Sequence, residues 1–173
     1  MNHNIKTTIS ENREILKFIA LLLFFTLLFH IIYQSFIINK EHFLRETTAM
    51  LVGFCLNVIG IENFVKDADI FFSSAKTFNV IYGCIGIYPV IVFASCVLAY
   101  PATIRDKIIG LIPGIIILYA IEIIRLTFLG VINVYWQNLF EITHVYFWQA
   151  TLIIFVIILL FLWITKVVEN ESE

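Results

Sequence analysis

Charge is scarce in this chain. Asp, Glu, Lys and Arg make up 14% of its 173 residues, the formal net charge is -2, and no lysine- or arginine-rich run occurs. That balance excludes an electrostatic nucleic-acid partner. Several catalytic signatures are also missing, since the sequence holds no C-x-x-C pair, no H-E-x-x-H and no G-x-S-x-G. Thiol oxidoreductase, zinc-hydrolase and serine-hydrolase readings therefore lose their usual residue sets, and no metal or cofactor is implied. Apolar residues fill the space instead. They reach 61% with a mean hydropathy of +0.95, against roughly 45–50% in a soluble domain. The chain reads as an integral membrane protein, and membrane lipid is its first expected partner.

Four stretches approach the roughly 20 apolar residues that cross a bilayer. They cover about 18–38, 81–100, 108–130 and 145–165, and only the third contains charges, Glu122 and Arg125. The first exceeds the roughly 7–15 residue apolar core of a signal peptide and lacks a small-residue cleavage site, so it reads as an uncleaved anchor. A fifth apolar piece, Thr47 to Ile61, would reach only about 22 Å as a helix, short of a hydrocarbon core of about 30 Å. It is expected to lie on the membrane or dip into it. Between it and Cys84, apolar and polar residues alternate in the manner of a short hairpin. The expected fold is an all-α membrane protein with one domain over residues 1–173, a bundle of four transmembrane helices plus one short interfacial or re-entrant helix.

Loop charge sets the expected orientation. "PATIRDK" (Pro101 to Lys107) holds Arg105 and Lys107, whereas "VINVYWQNLFEITH" (Val131 to His144) holds no Lys or Arg. Positive charges near helix ends stay in the cytoplasm, so the first loop is inside and the second outside. Both termini then lie in the cytoplasm and residues 39–79 outside. Cys84 opens the second span from outside, Arg125 lies just below the outer end of the third, and His144 opens the fourth.

Each of these residues has a plain structural reading. A free cysteine is a common packing residue, and Cys55 and Cys96 are present too. Cys96 is about 18 Å along a helix from Cys84 and cannot pair with it, while Cys55 can in principle. His144 alone suits a polar interface position, His30 an interior polar contact, and His3 and His42 solvent. Trp136, Trp148 and Trp163 fall where aromatic belts form, and Pro113 with Gly114 offers a kink that opens room near the site. Arg125 stands out, because an arginine inside a span costs at least about 2.5 kcal/mol without a partner or a function. Glu122, three residues away on the same helix face, is the candidate to orient it.

Together the residues describe acyl transfer by a cysteine nucleophile. A helix N-terminus and Arg125 both favour the Cys84 thiolate. His144, at another helix N-terminus, is expected to act as general base and then general acid. The guanidinium fork of Arg125 suits a thiolate or an oxyanion.

The stretches "YGCIGIYP", "IEIIRLTFLGVINVYW" and "FEITHVYFWQA", in that order and on one side of the membrane, resemble the exosortase/archaeosortase transpeptidases, most closely the compact exosortase H type. The likeness runs from about Phe78 to Trp163. It implies Cys84 as nucleophile, Arg125 as its arginine and His144 as the third polar member. Many members carry Asn where this chain has Glu122, and many have further N-terminal spans. The resemblance implies a bacterial or archaeal plasma-membrane enzyme with its active site on the extracytoplasmic side. Its partners would be exported proteins that end in a recognition motif, a transmembrane helix and a basic tail. They would be cut near the motif and passed to a surface acceptor through a thioester. The alternative is a non-catalytic assembly or scaffold protein for envelope or polysaccharide export, with inert cysteines and a purely structural Glu122–Arg125 pair.

Overall fold

The computed structural model describes residues 13–37, 41–73, 76–80, 85–144 and 148–168. Helix α1 (Arg13–Ile32) ends in a π turn (Tyr33–Ile37), and α2 (Glu41–Val58) follows. Three short strands, β1 (Asn63–Lys66), β2 (Asp69–Phe72) and β3 (Thr77–Asn79), form an antiparallel sheet in sequence order. Val65 pairs with Ile70, and Ile70 with Phe78. Helices α3 (Ile87–Ala99) and α4 (Ile104–Tyr135) come next, then a 3-10 turn (Gln137–Leu139), one turn of α-helix (Phe140–Ile142), and α5 (Trp148–Trp163) with a terminal π turn (Ile164–Val168).

Among the described residues three helices are long and apolar enough to cross a membrane: Arg13–Ser35, Ile104–Tyr135 and Ala150–Val168. A helical membrane protein is therefore borne out, while the expected count of four spans is not reached. The stretch expected to span at 81–100 appears as the 13-residue α3, only about 20 Å long at 1.5 Å per residue. Residues 81–84 lie outside the described residues. The alternating segment before them forms the three-stranded sheet, one strand more than a hairpin, so the fold is helical with a small β cap.

Helix α4 packs against α2, α3 and α5. Its 32 residues reach about 48 Å, well beyond a hydrocarbon core of about 30 Å. Exposed apolar side chains occur along its whole length, from Ile104 to Tyr135. Its buried side includes Asp106, Gly110, Gly114, Leu118, Glu122, Leu126 and Gly130, one residue every four. Small residues in such a ridge let neighbouring helices approach closely. A Cβ at Gly114 would collide with the Phe93 ring, and one at Gly110 with the Trp163 indole. The helix runs through Pro113, and Gly114 serves as a niche for Phe93 about 12 Å along the axis from Glu122.

Two cores result. Phe93, Val97, Leu118, Val156 and Trp163 pack inside the bundle. Ala49, Val52, Leu56, Ile70, Phe72, Phe78, Val80, Leu126 and Leu129 pack the far half of α4 under α2 and the sheet. Lys76 Nζ donates to the Asn133 and Val134 carbonyls at 3.2 and 2.7 Å, and Asn133 Nδ2 donates to Thr77 O at 3.3 Å. These contacts satisfy groups near the C-terminal end of α4, as helix ends require, and pin the cap there.

Two polar expectations are corrected. Trp163 is buried and donates Nε1–H to Asp106 O at 2.8 Å, so it ties α5 to α4 instead of facing lipid as an anchor. His30 is exposed on α1, not an interior contact, because α1 as a whole buries none of its residues. Trp136 is exposed at the end of α4, while the Trp148 side chain and His3 lie outside the described residues.

Candidate active site

Helices α3 and α4 run antiparallel, and one register places the site. Gly86 packs on Glu122, Phe93 on Gly114, and Lys107 Nζ donates to Leu98 O at 2.8 Å. Gly86 precedes α3 at φ 72°, a left-handed conformation that costs a side-chain-bearing residue about 1–2 kcal/mol. A Cβ there would lie 3.0 Å from Glu122 Cγ and 3.3 Å from its Cδ. Only glycine combines that backbone turn with that close approach. Cys84 lies outside the described residues, two positions upstream of this contact.

Glu122 and Arg125 are 0% and 4% exposed. Glu122 Oε1 lies 2.8 Å from an Arg125 Nη2, an ion pair between residues one helical turn apart. The alignment is imperfect. Among the described residues, neither Glu122 carboxylate oxygen accepts a hydrogen bond of good geometry, and Arg125 Nε has no hydrogen-bond partner. A buried pair with unmet donors and acceptors is weak as structural glue and open to a further polar group.

His144 follows the one-turn helix Phe140–Ile142. Its ring stacks on Phe140 with centroids 5.6 Å apart and planes at 9°, and Phe140 in turn meets Phe78 of the cap edge-on at 5.9 Å. Burial, and then the positive charge of Arg125, hold the His144 imidazole below its ordinary pKa. Arg125 is thus one of the two causes that lower it. The direction of the shift agrees with a neutral base.

Three features near the site were not expected from the sequence. Gly86 is one, although the paired glycines of "YGCIG" were a visible signal. Tyr119 is another, whose hydroxyl shares a 3.1 Å hydrogen bond with Thr48 Oγ1 and so ties α2 to α4 one turn from Glu122. Beside Gly86 opens the third, an apolar cavity of about 480 Å³ lined in part by Ile85, Val90, Leu111, Ile115 and Tyr119. No sequence pattern announces a cavity whose walls come from four separate helices.

A family model for transmembrane exosortases matches residues 9–164. The chain belongs to that family. No curated protein and no solved structure matches the chain. Membership supports a membrane transpeptidase as the activity class, and the apolar helices agree with an exosortase embedded in the bilayer.

Proposed function

We propose that this exosortase is a cysteine transpeptidase that cleaves exported proteins near a C-terminal sorting signal and transfers them to a surface acceptor. One observation carries the reading beyond family membership. The backbone just after Cys84 presses on a buried ion pair, Glu122–Arg125, whose charge also acts on His144. The position of Gly86, two residues after Cys84, beside this pair supports reading Cys84, Arg125 and His144 as one site.

In this mechanism Cys84 passes its thiol proton to neutral His144, and the thiolate attacks the scissile carbonyl. Arg125 donates to the oxygen that gains negative charge, and Glu122 orients it. Collapse breaks the C–N bond, the leaving amine takes the proton from His144, and a thioester to Cys84 remains. An acceptor nucleophile then attacks the thioester and releases the thiol. Substrate side chains next to the cut bond fit the apolar cavity. A whole helix, with a diameter of about 10 Å, does not fit there and would lie against the bundle from the lipid. Anchoring both partners in one bilayer raises their effective concentration. The site end faces the extracytoplasmic side in this proposal, with both termini inside.

The test is labelling of Cys84 in intact cells by a membrane-impermeant maleimide over a pH series, with Cys55 and Cys96 replaced by alanine. Labelling that persists well below the free-thiol pKa of about 8.5 and weakens in Arg125→Gln is expected. Labelling only after permeabilisation would overturn the proposed orientation. Unimpaired substrate processing by Cys84→Ala would overturn the mechanism.

A further inference from the structure

Arg45 lies on α2, far in sequence from the candidate site, and its guanidinium reaches the chain that leads to Cys84. Its Nε donates to Val80 O at 2.7 Å, and Nη2 donates to Asn79 Oδ1 at 3.2 Å. Asn79 Nδ2 donates onward to Asp69 Oδ1 on β2. Val80 is fully buried, and its N–H donates to Ala68 O at 2.9 Å. Both backbone polar groups of Val80 are thus engaged, one by the turn between β1 and β2 and one by Arg45. Four residues later comes Cys84, and two beyond that Gly86, fixed against Glu122.

We infer that Arg45 is a positioning residue for the proposed nucleophile, holding the upstream end of the Cys84 segment as Gly86 on Glu122 holds the downstream end. The inference rests on the cysteine mechanism above and adds to it a residue outside the Cys84, Arg125 and His144 set. The anchor has a rigid base. The turn of α2 that follows Arg45 is locked to α4 through Thr48 and Tyr119 and buries Ala49 and Val52 in the cap core. A guanidinium suits the task because one planar group donates along two directions, here to a carbonyl and to an amide oxygen. An ammonium could satisfy the Val80 carbonyl but not reproduce the fork.

Arg45→Gln, Arg45→Lys and Asn79→Ala would be compared in the full-length chain with Cys55 and Cys96 replaced by alanine. The readouts are Cys84 labelling against pH, processing of a reporter carrying a C-terminal sorting signal, and abundance in the membrane. Arg45→Gln is expected to slow processing at least tenfold and to move the labelling midpoint toward the free-thiol value of about 8.5. Full labelling at high pH and normal membrane abundance should persist. Arg45→Lys should recover part of both losses, and Asn79→Ala should shift both in the same direction by less. Wild-type processing with a wild-type labelling profile in Arg45→Gln would overturn the inference. Equal losses in the Gln and Lys variants, accompanied by loss of protein from the membrane, would reduce Arg45 to a folding role. Should Arg45→Gln prove too unstable to measure, an unshifted profile in Asn79→Ala would overturn it as well. Normal processing by Cys84→Ala is a different failure: it removes the cysteine mechanism, and the Arg45 role falls with it.

Discussion

At the scale of single residues, the Glu122–Arg125 pair buries two charges inside the bundle. Its desolvation is offset only in part by a contact that leaves Arg125 Nε without a partner among the described residues. Arg125→Lys keeps the charge and loses the fork, so processing is expected to fall about 10²–10³-fold, the range for losing an oxyanion donor, with membrane abundance retained. Full processing by that variant would remove the oxyanion role. Gly86→Ala tests the neighbouring contact. The left-handed backbone costs alanine about 1–2 kcal/mol, and the new methyl must displace Glu122, so both detergent-solution stability and processing should drop. His144 supplies the pH dependence. Its pKa is depressed, so the folded state prefers the neutral ring. Its contribution to stability is complete above the unfolded value of about 6.5 and is lost as pH falls through the folded value. The acid limb of processing should accordingly lie below about 6.5. In ¹³C-histidine NMR, Arg125→Gln should move the His144 midpoint upward, since it removes one of the two depressing causes. An unmoved midpoint would mean that burial alone sets it.

Elements show where physics was readable from sequence and where it was not. α1, α4 and α5 follow from long apolar runs. The end of α3 nearest the site was not legible, because a single left-handed glycine delays the helix to Ile87 within an uninterrupted apolar stretch. The sheet was half legible: alternation marked strands but could not count them, since three- and four-residue segments carry little periodicity. Among the candidate residues, the i, i+3 spacing of Glu122 and Arg125 gave their pairing outright, whereas Arg45 joined Val80 across 35 residues with no local signal. The α3–α4 register itself yields a prediction. Gly114→Val should push α3 off α4 through Phe93 and cost about 1–3 kcal/mol by overpacking. Pairing it with Phe93→Leu should give a smaller loss than the two single losses summed, because the substitutions share one contact. Thermal unfolding in detergent measures both, and strict additivity would mean that the two residues are not coupled.

For the whole molecule, sidedness follows from the two ends of α4. One end carries the sheet, α2 and the ion pair, and the other carries Arg105 and Lys107 beside a capping box in which Thr103 and Asp106 satisfy each other's backbone N–H groups. An open-edged three-stranded sheet does not suit hydrocarbon, so the cap is expected at one aqueous face and the basic loop at the other. Under the proposed function the basic loop lies in the cytoplasm and the cap and site lie outside, as the positive-inside rule expects. In a chain with all three cysteines replaced by alanine, Lys66→Cys on β1 should react with an impermeant maleimide in intact cells. Arg105→Cys should react only after permeabilisation, although both positions are exposed. The reverse pattern would place the ion pair and His144 in the cytoplasm, where exported substrates have already left, and a transpeptidase acting on the outer face could not be built from them.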